Sequence, residues 1–304
     1  MEKFIYNKLS DYYKSIYAER TLKICVDGGF TCPNRDGRVG TGGCIFCSAR
    51  GSGDQLQRID IASQVKNYLN SYKINRANKF IVYFQNFTST YDTPENLEKK
   101  YNSALISEKI VGINIGTRPD CITPEIIEVL HRLKSKTDVY VELGLQTSND
   151  SIGKIINRCF TTECFINAVK LLSNANIKVI AHIMVGIPNQ TEKDILDTIT
   201  LLNSLQIHGI KIHSTYVLKN TKLNELYLNN LYTPLTMEEY IYYCGLILVN
   251  LRPDIIIYRI TADAPKSELV APEWNLHKKI VLNNLNKYFL DNDIYQGKKY
   301  KGQN

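Results

Sequence analysis

The sequence predicts an α/β fold built on parallel strands, and three observations carry that reading. Strand-like apolar runs alternate with amphipathic segments, and strand starts recur roughly every 30 to 40 residues, as βα units require. The intervening helices announce their starts with capping residues. No stretch rich in Pro, Gly or Ser divides the 304 residues, so they read as one domain with terminal extensions.

The strands expected in order are residues 22–26, 80–84, 110–115, 139–145, 178–185, 210–217 and 255–260. Between them, Thr93-Pro94-Glu95 and Thr123-Pro124-Glu125 each set a capping residue before a proline at the first helical position. Thr236 and Glu239 form a capping box, and Thr191 with Asp194 resembles one. Phe165, Val169 and Leu172 keep helical spacing, as do Ile195, Ile199 and Leu202.

A parallel strand buried on both faces reads almost continuously apolar. Several of these runs break that rule at alternate positions. Tyr140, Glu142, Gly144 and Gln146 share one face, as do Ile180, His182 and Met184, then Lys211, His213 and Thr215. Asn114 and Arg118 fall on one parity as well. Polar groups placed in this way line the mouth of a barrel, where α/β barrels keep their chemistry. Lys211, His213 and Lys219 are the groups expected nearest a substrate, His as acid or base and Lys as partner of a phosphate or carboxylate. The competing expectation is that Lys211 and His213 only hydrogen-bond inside the barrel. Glu142 is expected either to contact a cofactor or substrate, or to pair with a cation such as Lys211.

Eight cysteines are too many to ignore, and three of them, Cys32, Cys44 and Cys47, share one Gly- and Asn-rich loop. Eleven residues separate the first two, and the last two form C-x2-C. Soft thiolates at such spacing select zinc or an iron–sulfur cluster. Three thiolates leave one iron of a [4Fe–4S] cube without a protein ligand. Cys121, Cys159, Cys164 and Cys244 read as small buried hydrophobes; Cys25 reads likewise, or as the fourth ligand of a zinc site. The chain shows neither a signal peptide nor a run approaching the ~18 to 20 apolar residues of a membrane span, so a cytoplasmic, reducing location is expected. The formal charge is +7, with six lysines gathered after Asn275. That end suits either a phosphate backbone or a solvated helix face with a frayed terminus.

CPNRDGRVGTGGCIFC followed by βα units resembles the radical S-adenosylmethionine (SAM) superfamily. The phrases YFQNFTSTY, GTRPDCIT, VELGLQTSND, HIMVGIPNQT, GIKIHSTYVLKNT and RITADAP are similar to its bacterial Elongator-like family of the YhcC/YtqA type. The resemblance implies a partial (β/α)6 radical SAM barrel over residues 22–220 with a cluster loop at 28–53. It also implies an N-terminal extension, 1–21, and a C-terminal helical extension, 221–304, with one strand and a basic tail. It implies a [4Fe–4S] cluster on Cys32, Cys44 and Cys47, with SAM on the fourth iron and a flavodoxin- or ferredoxin-type electron donor. Phe46 would lie against the adenine. Gln85 and Asn86 stand where many relatives have a glycine-rich motif for the methionine amino group. Gln146 and Arg158 resemble a pair that holds the ribose and carboxylate of SAM in coproporphyrinogen-oxidising enzymes, and His182 and Met184 would flank ribose and adenine. Cys159-Phe160 and Asn189-Gln190 replace the Gly-His and Gly-Glu expected there. The implied substrate is tRNA, at the C5 side chain of a wobble uridine. Two alternatives are a radical SAM enzyme acting on a porphyrin-like small molecule and a non-catalytic zinc protein that binds RNA.

Overall fold

A computed structural model describes residues 4–51, 56 and 58–302; residues 52 and 53 of the expected cluster loop, and the extreme ends of both extensions, lie outside them. In chain order the elements are α1 (Leu9–Tyr17), β1 (Thr21–Val26), α2 (Ile61–Leu69), β2 (Lys79–Phe84), α3 (Pro94–Asn102), β3 (Ile110–Thr117) and α4 (Pro124–Lys134). There follow β4 (Asp138–Gln146), α5 (Asp150–Ile155), α6 (Thr162–Asn174), β5 (Lys178–Val185), α7 (Glu192–Ser204) and β6 (Gly209–Ser214). The rest comprises β7 (Val217–Leu218), α8 (Lys222–Leu228), α9 (Met237–Asn250), β8 (Ile256–Arg259), β9 (Leu269–Ala271) and α10 (Lys278–Asp291). Local chemistry sets the helix starts: Thr93 and Thr123 cap α3 and α4 ahead of Pro94 and Pro124. Thr191 with Asp194 and Thr236 with Glu239 close full capping boxes on α7 and α9.

All seven expected strands form one parallel sheet in the order β1-β2-β3-β4-β5-β6-β8, while β7 and β9 pair separately and antiparallel. Residues 210–217, expected as one strand, divide: Ser214 turns its hydroxyl to Asn275, and Val217 leaves to pair with Ala271. The strand of the C-terminal part joins the barrel sheet, since β8 pairs with β6. Sequential order puts the helices on one face. There Val82, Ile113, Val141 and Leu143 pack against Leu97, Leu130, Phe165 and Ile199 in the main core. The other face curls inward. Lys23 on β1 lies over the rings of Tyr83 and of Tyr258 on β8, 5.0 and 5.2 Å from their centroids, so both edges of the sheet face one interior.

Helix α1 stoppers the base of that interior by burying Tyr13 among Ile81, Tyr140, Ile180 and Tyr258. At the other terminus the amides of Gly297 and Lys299 donate to the carbonyls of Leu248 and Val249, and Gln296 is buried. Backbone hydrogen bonds therefore tie the lysine-rich end down as far as Tyr300, against the frayed terminus that is one of its two readings.

Candidate functional site

The cysteine loop runs between β1 and α2, at the C-terminal ends of the strands. Main-chain bonds pin it: Ile45 N–H donates to the carbonyl of Ile156, Leu223 N–H to that of Ile45, and Thr88 N–H to that of Thr31. Asn34 Nδ2 donates to the Asn157 carbonyl at 2.6 Å and lies 3.9 Å from Cys44 Sγ. Gly40 is required beside it, because a Cβ there would meet Asn34 Oδ1 at 2.2 Å. Arg35 donates to the carbonyls of Cys47 and Ser48 and stacks over Phe87. Cys47 N–H bonds the Cys44 carbonyl, closing the C-x2-C segment into a turn.

Burial pushes the Cys44 thiol up to about 12, and the nearby Cys47 and Cys32 push the same way. Arg118 opposes them. Its guanidinium forks onto Asp120 at 2.9 and 2.7 Å and donates to the Arg158 carbonyl. Three half-buried cysteines of one loop, with Cys32 and Cys47 near enough to Cys44 to raise its proton affinity, offer soft sulfur donors, and an iron–sulfur cluster suits that donor set. Cys25 lies elsewhere. Its electrostatic neighbours are Lys23, Lys211, Arg259 and Glu142, inside the barrel, and its thiol is exposed there. Those neighbours are residues of the barrel strands and include none of Cys32, Cys44 and Cys47.

Glu142 is the hub of the interior. Its Oε1 accepts from Lys23 Nζ at 3.0 Å and Asn114 Nδ2 at 2.9 Å; its Oε2 meets His182 Nε2 at 2.9 Å and Lys211 Nζ. Burial opposes its ionisation, yet Lys211 and Lys23 hold the carboxyl well below the usual range. Burial draws Lys211 down to about 7 against the pull of Glu142, with Lys23 and Arg259 adding to the fall. His182 is pushed down to about 4 by burial and Lys211, so its neutral ring donates Nε2–H to the carboxylate. His213 stacks 5.4 Å from His182; burial, then His182, lowers it further, and its Nε2 has no partner. Of the two readings of Glu142, the geometry gives the partner of cations, and all its acceptor capacity is in use. Lys219 stands apart, exposed, with Nζ on the Ser267 carbonyl.

The remaining expected residues divide. Phe46 and Met184 pack against one apolar cluster containing Ile45, Ile187 and Val217, two loops meeting beside the cysteines. Asn86 is buried at the end of β2 with Oδ1 unsatisfied, next to Gln85. Gln146 ends β4 in a left-handed conformation, φ 63°. The carbonyls of Leu145 and Thr147 on either side of it both accept from Arg158 Nη1, at 2.6 and 2.5 Å. Arg158 Nε bonds the Phe160 carbonyl, and Nη2 takes Asp150 and Thr162. All five of its N–H groups are engaged and the side chain is fully buried, which corrects the expectation of a carboxylate ligand: no donor is left for one. Gln190, in the place of the expected Glu, accepts from the amides of Gly186 and Ile187 and donates to the Met184 carbonyl, fixing the turn after β5. Sequence reading missed Lys23. A lysine at the parity of Cys25 in an otherwise apolar edge strand is the signal that could have found it.

A curled parallel sheet with three thiols gathered in a loop at its mouth defines a class of enzymes that hold an iron–sulfur cluster for radical chemistry. The chain belongs to the radical SAM superfamily, whose pattern matches residues 35–202, with the Radical_SAM C-terminal domain at residues 207–290. It is similar to YtqA of Bacillus subtilis, at 35% identity over 296 residues covering 96% of this chain and 92% of that one. Elongator complex protein 3 of Dictyostelium discoideum is 29% identical over 161 residues, 52% of this chain and 28% of that protein. The archaeal Methanocaldococcus infernus Elp3, with its N-terminus deleted, shares the fold at a TM-score of 0.70 and 18% identity. That match covers 91% of this chain and 64% of the archaeal one. Among the described residues no helix is long and apolar enough to cross a membrane.

Proposed function

We propose that this radical SAM enzyme remodels or trims an existing substituent on C5 of a wobble uridine in tRNA. The observation that carries the reading is the position of the cysteine loop: it overhangs an interior into which β1 to β6 send polar side chains, with Glu142 at their centre. Cys32, Cys44 and Cys47 would hold a [4Fe–4S] cluster. When bound with SAM and reduced, the pair supplies a carbon radical able to take a hydrogen atom from an unactivated C–H bond.

The chain's own residues bind, orient and exclude water. Phe46 and Met184 offer apolar surface for a purine, and the unsatisfied Asn86 Oδ1 is an acceptor fit for an ammonium group. The Glu142 hub locks Lys23, Asn114, His182 and Lys211 in place, so the polar floor does not reorganise when a substrate arrives. The aromatic stopper of α1 keeps water out from below. The relation to Elongator complex protein 3 motivates a tRNA substrate, and the excess of positive charge is compatible with it.

Anaerobically purified protein is expected to be brown and to release 5′-deoxyadenosine from SAM under reduction. Mass spectrometry of tRNA nucleosides from a deletion strain is expected to show a changed wobble uridine. Unchanged wobble uridines with intact SAM cleavage would favour a small-molecule substrate instead.

A further inference from the structure

The interior holds more positive charge than its carboxylates answer. Lys23 and Lys211 share the one buried carboxylate, Glu142, and Arg259 adds a third cation beside them, pairing outward with the half-exposed Asp263, which Lys278 also engages. Arg259 lies in register with Lys211 and lowers its proton affinity, as it does that of His213. Lys211 and Glu142 are almost wholly buried, where surplus charge is costly unless an ion of opposite sign joins it. Two buried polar atoms on the same face of β6 and its continuation, His213 Nε2 and Thr215 Oγ1, have no partner. Cys25, with Lys23, Lys211 and Arg259 as neighbours, is exposed to the hollow they line.

We infer that the barrel interior is a receptor for a compact oxyanion, a carboxylate or phosphate carried by the substrate, seated between Lys211, Arg259 and His213. The inference deepens the proposed function by naming the group the substrate presents, and it rests on that reading for the RNA partner alone.

Two measurements on the cluster-loaded protein test it. The first uses Cys25 as a local gauge of potential: alkylation by anionic iodoacetate is compared with neutral iodoacetamide, by peptide mass spectrometry, relative to glutathione. A ratio raised about threefold or more at low salt, and lowered by Arg259→Gln, is expected. A ratio equal to that of glutathione overturns the receptor, and so does its abolition by SAM alone, which would assign the charge to SAM's own carboxylate. The second measures binding of an anticodon stem-loop whose wobble position carries 5-carboxymethyluridine or its methyl ester. The acid is expected to bind about tenfold more tightly, a preference Arg259→Gln erases. Equal binding overturns the assignment of the oxyanion to the substrate. If neither RNA binds while the alkylation ratio stands, the tRNA reading fails and the receptor survives.

Discussion

Replacing Glu142 with Gln tests whether the interior is organised around one carboxylate. The substitution keeps shape and removes the charge that holds Lys211, whose side chain is 5% exposed, and Lys23, at 20%. Breaking a buried pair by deleting one partner costs about 3 to 5 kcal/mol, because the remaining charge is left uncompensated. Lys211 has a way to relieve that cost. Burial already brings its ammonium to about 7, and without Glu142 it falls lower. Above that value the amine sheds its proton, and only lost hydrogen bonds remain, about 1 to 3 kcal/mol. The destabilisation of Glu142→Gln is therefore expected to be larger at pH 6 than at pH 8.5. Urea unfolding of wild type and variant, matched in iron content, measures it at both values. A loss below about 1 kcal/mol that is the same at both pH values is the behaviour of an exposed pair and would refute the reasoning.

Cys44→Ser is expected to abolish iron binding after reconstitution, whereas Cys25→Ser leaves the iron content unchanged, since Cys25 sits among the interior cations. Arg158→Lys loses most of five hydrogen bonds and is expected to cost about 3 kcal/mol or more in unfolding free energy, with SAM affinity retained in the folded fraction. A variant of normal stability and weak SAM binding would overturn the scaffold role. His182, held down to about 4, takes its proton in the unfolded chain near 6.5. The unfolded state thus binds more protons between those values, so stability falls as pH drops from about 6.5 towards 4, and His182→Gln flattens that limb. Ring proton resonances of His182 that titrate between pH 5 and 8 would contradict this.

What the sequence disclosed was local. Capping at Thr93, Thr123, Thr191 and Thr236 depends on neighbours three residues away, and the strands on short apolar runs. The cysteine loop carried its own chemistry. What escaped depended on contacts across the fold. Lys23 meets Glu142 only because the sheet curls its edge strand back across the interior. Arg158 is twelve residues from Gln146, a spacing that suits a shared ligand equally well. Only the left-handed turn at Gln146 shows that neighbouring carbonyls take the guanidinium instead. The strand after residue 255 was recognisable, but its place beside β6 is long-range register, which no window of sequence encodes.

The ties that fix the cysteine loop run through peptide groups at Ile45, Ile156, Thr31, Thr88 and Leu223. Such anchors are indifferent to side-chain identity, so Ile45, Ile156, Thr31, Thr88 and Leu223 are free to drift in composition as far as these ties are concerned. Among descendants of a common ancestor, the positions that resist change should be Asn34, Arg35, Gly40 and Gly43, where a side chain does the tethering or must give way to it.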